Sequence, residues 1–157
     1  MVKWLILCGN EENWNVAIKN KVWGTKPLLR KLWSGLSKGD IIFFYVTRSI
    51  KRIVGVGIVK EKLDPQTYEP KPLWPDEKNK DKVIYPYRFR FETIYLCKNL
   101  SLKGINVTGL KISRIKGMSR ILDKQSTLEL HRLISTNWNV DIPLPEDARA
   151  RFLLSHF

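Results

Sequence analysis

Amides and an indole near the amino terminus are the side chains in this sequence best suited to hold a planar ligand. Asn10 and Asn13 precede Trp23 within the stretch from residue 10 to residue 25. An asparagine amide donates and accepts hydrogen bonds together, so it can pair with the polar edge of a nucleobase. An indole offers a π-face on which a base can stack. These residue types predict a pocket that holds a base, with Trp23 in its lining.

Groupings of side chains typical of catalysis or metal binding are missing from the sequence. It contains no Gly-x-Ser-x-Gly elbow, no P-loop and no His-Glu-x-x-His motif. The two cysteines and two histidines are far apart and match no zinc pattern. The acidic pairs Glu11/Glu12, Asp76/Glu77 and Glu146/Asp147 are interpreted as dipole or solvent contacts at helix starts and turns. We therefore predict a binding module rather than an enzyme, with neither a cofactor nor a metal.

The charge balance points to a polyanionic partner. The chain has 28 basic and 15 acidic residues and a net charge of +13, while an apolar content of 43% excludes a disordered chain. Nucleic acid is the first choice of partner, and a charge that serves only solubility is the alternative. Two basic clusters are candidate phosphate contacts: Arg48, Lys51 and Arg52, and Arg114, Lys116 and Arg120.

Size and hydropathy limit the organisation of the chain. Its 157 residues are expected to form one domain, 1–157, without linkers or repeats. No apolar run approaches the roughly 20 residues that span a bilayer, and no cleavable leader is evident. We expect a cytoplasmic protein without a membrane partner, in which Cys8 and Cys97 are buried thiols rather than a disulfide.

The elements that must position these residues alternate between strands and helices. Asn10 predicts a helix cap, and the helix runs to Asn20 with Trp14 on its buried face. A capping-box pattern predicts a helix from Ser126 to about Ser135, and a last helix is expected from Pro145. Strands are predicted over 2–8, 41–47, 53–59 and 83–97, a short helix within 26–35, and an irregular segment over 64–82. The sum is an α+β fold, a small, partly closed β-barrel with helices packed against it.

Five short motifs, in order, connect the chain to a known family. They are Asn10-Glu-Glu-Asn-Trp14, Val22-Trp-Gly24, Lys38-Gly-Asp40, Val54-Gly-Val-Gly57 and Tyr85-Pro-Tyr-Arg88. Together they resemble the EVE domain, especially archaeal EVE proteins, over nearly the whole chain. The EVE domain belongs to the PUA-like superfamily, beside the YTH readers of N6-methyladenine. The resemblance implies a PUA-like barrel and recognition of a modified base in DNA or RNA.

The same resemblance implies roles for individual residues. Trp23 corresponds to the first aromatic wall of a YTH-type cage, and Trp74 is the candidate second wall, with Tyr85 as the alternative. Asn10 and Asn13 lie in the segment that reads the base edge, although Asn10 is also interpreted as a plain helix cap. A similar domain forms the amino-terminal module of some McrB-type restriction systems, so a fused or associated GTPase or nuclease is an implied partner.

Two other functions stay open at this stage. A general RNA-binding PUA-like domain would bind tRNA or rRNA without regard to modification. An enzyme of the related ASCH type would act on nucleosides or RNA, although the sequence offers no clear Lys/Glu or His-based site for it.

Overall fold

The computed structural model describes residues 2–98, 103–146 and 148, and its framework is one mixed sheet. The described residues form six strands in the order β2-β5-β4-β3-β1-β6. The strands are β1 Trp4–Gly9, β2 Val22–Thr25, β3 Ile41–Val46, β4 Arg52–Lys62, β5 Tyr87–Leu96 and β6 Met118–Arg120. The β1–β3 pair is parallel and the other pairs are antiparallel.

The sheet curls into a half-barrel, which confirms the predicted α+β architecture. Gly9 ends β1, next to the last strand in the order, whereas Trp23 lies in β2, the first. A Cβ atom placed on Gly9 would nevertheless lie only 2.7 Å from Trp23 Cη2. Curling therefore brings the two ends of the sheet almost together without joining them.

Helices cover the half-barrel. They are α1 Glu11–Asn20, α2 Arg30–Ser34, α3 Pro75–Lys80 and α4 Lys124–Trp138, with a 3₁₀ turn over Pro27–Leu29 before α2. None of the helices among the described residues combines the length and apolar character needed to cross a membrane.

Helix α1 forms as the sequence predicts. The Asn10 side chain accepts a hydrogen bond from the Asn13 N–H at 2.8 Å and so caps the first turn. Lys21 ends the helix in the left-handed conformation, with φ of 55°. The chain then turns directly into β2, and this strand carries Trp23.

The start of α4 was predicted wrongly. The helix begins at Lys124 because Asp123, rather than Ser126, is its cap, accepting from Ser126 N at 2.9 Å. Ser126 lies inside the first turn, where its hydroxyl accepts from Lys111 N at 2.8 Å. The helix also runs on to include Trp138. Most of the helix predicted from Pro145 lies outside the described residues.

Two predictions around β5 also need correction. The segment 64–82 is not wholly irregular, because it contains α3. The strand begins at Tyr87 instead of residue 83, and it lies between β2 and β4 inside the sheet. The Arg88 side chain in this strand is buried beside the buried Glu77.

Candidate functional site

A cavity of about 340 Å³ opens in the seam where the half-barrel does not close. Its walls come from the end of β1, from β2 and the 3₁₀ turn, and from the loop before β6. Helix α1 and the segment around α3 complete them. The lining residues are Cys8, Gly9, Asn13, Trp23, Gly24, Thr25, Lys26, Leu28, Leu29, Trp74, Tyr85, Ile115, Lys116 and Gly117. The volume lies toward the small end of the roughly 300–1,000 Å³ typical of ligand pockets.

Trp23 forms one wall and is held from behind by a second tryptophan. Trp14 stacks against it with ring centroids 4.3 Å apart and planes 24° apart. Trp14 is fixed in turn, since its Nε1 donates to the Tyr45 carbonyl at 2.8 Å. Trp23 is 5% exposed and lines the cavity, whereas Trp14 does not. One face of Trp23 is therefore already covered, and a ligand must use the side away from Trp14.

Trp74 and Tyr85 form the adjoining wall. The Trp74 ring lies 6.4 Å from that of Trp23 with planes 73° apart, and Tyr85 meets Trp74 at 5.5 Å and 82°. Trp74 Nε1 donates to the Asn13 carbonyl at 3.2 Å, which ties this wall to α1. The two indoles meet as a corner rather than as two parallel plates. A planar ligand would stack on one ring and meet the other edge to face.

Gly24 allows the two walls to meet. A Cβ atom at this position would lie 2.9 Å from both Cβ and the carbonyl oxygen of Tyr85, and 3.0 Å from Trp74 Cη2. Those distances are too short for a side chain, so the residue after Trp23 has to be glycine for Trp74 and Tyr85 to approach β2.

A buried carboxylate holds the Trp74 and Tyr85 wall in place. Glu77 is fully buried and accepts hydrogen bonds from Trp74 N at 3.2 Å and Tyr85 N at 3.1 Å. It also pairs with Arg88 Nη2 at 3.1 Å, and the Arg88 guanidinium carbon lies 5.0 Å from the Trp74 ring centroid. Glu77 lies in the first turn of α3, as predicted for a helix start, but the predicted alternative of a solvent contact is wrong because the side chain is buried. Its carboxylate joins the backbone of both wall residues to a buried cation.

The polar part of the wall is a chain of three side chains. The Tyr85 hydroxyl donates to Asp76 Oδ2 at 2.5 Å. Burial, and then the hydrogen bond to Asp76, raises the pKa of Tyr85, while the interaction with the Asn13 side chain opposes the rise. Tyr85 is therefore a neutral phenol whose proton is engaged by Asp76. Its hydroxyl oxygen remains available to accept a hydrogen bond from Asn13 or from a ligand.

The charged groups of the cavity lining are positive and favour a ligand that carries negative charge, and the cysteine of the lining is not activated as a nucleophile. Lys26 and Lys116 are the charged residues among the described lining residues, which include no carboxylate. Burial raises the pKa of the Cys8 thiol to about 12, although Arg114 acts in the opposite direction. Cys8 is a neutral thiol at physiological pH and a poor nucleophile.

The structure brings together most of the predicted base-binding residues. Trp23, Trp74, Asn13 and Tyr85 all line the cavity, and the Asn10 side chain caps α1 instead. Trp23 Nε1 is buried and has no hydrogen-bond partner among the described residues.

The predicted phosphate contacts are more scattered. Lys116 lines the cavity, and Arg114 is close enough to Cys8 to influence its pKa. Arg48 and Lys51 lie in the β3–β4 hairpin, which is joined to the cavity residue Gly9 through a 2.9 Å hydrogen bond from Thr47 N. Arg52 donates to the Gly104 carbonyl at 3.5 Å, and Arg120 lies farther along β6.

Sequence reasoning missed several lining residues. Cys8 and Thr25 give no signal of their own, because both belong to buried strands. Leu28 and Ile115 give a weak signal, because each is an apolar residue close to a cation, such as Lys26 near Leu28, in a segment without a regular pattern. The described residues also hold no group of three or more His, Cys, Asp and Glu side chains that could bind a metal ion.

Comparison with known proteins agrees with this geometry. The family model of the EVE domain matches residues 3–133, most of the chain. The chain belongs to the EVE family. Among curated proteins, this EVE domain is similar to an uncharacterized protein of Methanocaldococcus jannaschii. The two are 26% identical over 117 residues, which cover 66% of this chain and 72% of that protein.

Solved structures show that the EVE domain shares its fold with YTH and ASCH proteins. The apo Toxoplasma CPSF4-YTH domain aligns with a TM-score of 0.58 at 19% identity, over 92% of this chain and 90% of that one. The Mmi1 YTH domain in complex with RNA gives 0.59 at 17%, over 90% and 84%. ASCH from Zymomonas mobilis gives 0.51 at 13%, over 83% and 95%.

Proposed function

We propose that this EVE domain binds nucleic acid and recognises a modified, methylated base that is turned out of its strand into the cavity. The observation that carries the proposal is the seam cavity itself, where Trp23 and Trp74 meet at a corner beside the amide of Asn13. The solved Mmi1 YTH domain in complex with RNA, which has the same fold, supports nucleic acid as the partner.

Stacking supplies the first part of the recognition. The side of Trp23 away from Trp14 receives the base, and each base–aromatic stack contributes about 1–3 kcal/mol. A methyl group adds apolar area and removes one hydrogen bond to water, so burial between indoles favours the methylated base. The fixed pair of Trp14 and Trp23 makes this surface rigid before the ligand arrives.

Hydrogen bonds supply the second part. Because the Tyr85 proton is held by Asp76, the hydroxyl can only accept from a ligand. Asn13 brings both a donor and an acceptor to the same side of the cavity. This pairing suits a base edge that carries an N–H donor next to an acceptor, as the amino-bearing edges of adenine and cytosine do.

Cations at the cavity mouth supply the third part. Lys26 and Lys116 line the opening, and Arg114 lies beside it. Arg48 and Lys51 extend the positive surface along the hairpin joined to Gly9. Such contacts position the phosphate backbone without reading its sequence.

The decisive experiment is a titration with oligonucleotides that differ in one methyl group on a single base. We expect tighter binding of the methylated member, with an affinity that falls as salt rises because phosphate contacts release counterions. Adenine and cytosine modifications, in DNA and in RNA, form the panel. Equal binding of every methylated and unmethylated pair would contradict the proposal and would favour a general RNA-binding domain.

A lysine at the mouth should affect affinity but not preference. Lys116→Gln is expected to weaken methylated and unmethylated oligonucleotides alike and to lower the slope of log affinity against log salt by about one unit. Lys60→Gln is the matched control, since Lys60 is exposed on β4 and outside the cavity lining. A change in base preference with Lys116→Gln would show that the lysine reads the base.

An ASCH-like enzyme is the less favoured function. The neutral Cys8 thiol is a poor nucleophile, and the described lining holds neither a carboxylate nor a histidine to act as a general base. Turnover of a modified nucleoside would reverse this conclusion. A cytoplasmic location and an associated GTPase or nuclease remain predictions, and the genes next to this one would test the second.

A further inference from the structure

Two exposed aliphatic side chains stand at the mouth of the cavity, and the fold does not use them. Leu28 is 90% exposed and Ile115 is 94% exposed, the highest values among the large hydrophobic side chains of the described region. Both line the cavity. Leu28 belongs to the 3₁₀ turn after β2 and Ile115 to the loop before β6, so they stand on the two opposite edges of the half-barrel.

The backbone beneath each side chain is fixed. The turn under Leu28 is closed by the hydrogen bond from Leu29 N to the Lys26 carbonyl at 2.9 Å. Two residues after Ile115, the Gly117 carbonyl accepts from Cys8 N at 3.0 Å, which ties the loop to β1. Leu28 and Ile115 are therefore held at set positions beside the opening.

Cations accompany both side chains. Ile115 lies between Arg114 and Lys116, and Leu28 follows Lys26 by two residues. An apolar side chain flanked by positive charges is complementary to a double helix, because the apolar group can meet the stacked bases while the cations meet the phosphate backbones on either side. It does not match an apolar protein partner, because the flanking cations would lose their hydration there.

We infer that this domain takes its target base from a duplex, and that Ile115 enters the base stack at the place the base has left. The inference rests on the proposed function, since it assumes that a base enters the cavity. Turning a base out of a duplex leaves its neighbours unstacked and its partner unpaired. Aliphatic wedges fill such gaps in proteins that open or kink duplexes. Leu28 supports the flanking base from the other edge of the cavity.

A single strand would not call for this arrangement. Its bases are already free to turn, and proteins that bind single strands usually offer aromatic surfaces to successive bases. At the mouth of this cavity the two exposed apolar residues are aliphatic, while the described aromatic rings of the lining, Trp23, Trp74 and Tyr85, are buried or half-buried in the walls.

The test compares one methylated oligonucleotide and its unmethylated counterpart, each as a single strand and as a duplex with its complement. Ile115→Ala should weaken duplex binding about tenfold or more, because the wedge compensates for lost stacking. Single-strand binding should change less than about twofold. Leu28→Ala should act in the same direction more weakly. Leu122→Ala is the matched control, since Leu122 is 69% exposed and lies outside the cavity lining.

The outcomes separate this inference from the proposed function. The duplex wedge is overturned if the wild-type protein binds the single strand more tightly than the duplex. It is also overturned if Ile115→Ala lowers the affinity for both forms equally. Neither result contradicts methyl recognition. The proposed function is overturned if the wild-type protein shows no preference for the methylated oligonucleotide, either as a single strand or as a duplex. All three alanine variants should fold, because each replaces an exposed side chain, and circular dichroism would verify this.

Discussion

Trp23→Ala is expected to abolish the preference for a methylated base while leaving the salt-dependent affinity for phosphates. Trp23 is the ring whose free side borders the cavity, since Trp14 covers its other face. Losing a stack of about 1–3 kcal/mol corresponds to a loss of roughly 5- to 150-fold in affinity for the methylated oligonucleotide. Titration at two salt concentrations would separate the two contributions.

The same substitution also removes a core side chain, so it needs a matched control. Replacing a buried tryptophan with alanine typically lowers the free energy of unfolding by about 3–5 kcal/mol. Trp138 is similarly buried, stacks on Tyr95 at 4.6 Å and 24°, and has an indole nitrogen without a partner among the described residues. Trp138→Ala should destabilise comparably and keep the methyl preference. A preference that survives Trp23→Ala, or that Trp138→Ala also removes, would refute the role of Trp23.

Glu77→Gln is expected to cause a large loss of stability and to weaken base binding, although Glu77 does not line the cavity. The buried Arg88 would lose its carboxylate partner, and breaking a buried ion pair typically costs about 3–5 kcal/mol. The amide also has one acceptor oxygen where the carboxylate has two. The backbone N–H groups of Trp74 and Tyr85 would therefore be held less firmly. Chemical denaturation and the methyl-preference titration would measure the two effects.

An exposed glutamate provides the comparison for Glu77. Glu92 pairs with Lys21 at 3.3 Å at the surface, where such pairs contribute only about 0–1 kcal/mol. Glu92→Gln should leave both stability and base binding nearly unchanged. Similar unfolding midpoints for the two variants would show that Glu77 does not hold the wall as described.

Local signals in the sequence were enough for the first wall of the cavity. Asn10 caps α1 and Trp14 faces the core, as the polar and apolar spacing predicts. Trp23 comes soon after the helix in the chain, because the left-handed Lys21 is the single residue between the end of α1 and the start of β2. The half-barrel was predictable from the β-prone runs together with the motifs shared with the EVE family.

Trp74 and Tyr85 were candidates for the second wall through the family resemblance, but the contacts that hold this wall could not be predicted because distant residues determine them. Asp76 and Glu77 look like the acidic first turn of any helix, and α3 does begin there. What makes Glu77 different is a buried guanidinium that arrives from β5, and no local pattern reveals that pairing. Ser126 shows the same limit: it begins a capping-box pattern in the sequence, but Asp123, three residues earlier, is the residue that caps the helix.

The position of β1 in the sheet means that the ligand cavity can form only after the residues around β6 have been synthesised and have paired with β1. β1 is the first strand of this domain along the chain, and it lies inside the finished sheet, between β3 and β6. The β6 strand follows over a hundred residues later in the chain. A nascent chain that ends before Ile115 exposes the β1 edge and lacks the Ile115–Gly117 side of the opening, so its ligand cavity is incomplete. Such long-range closure is slow compared with local folding, and ligand capture would report that the last strand has docked.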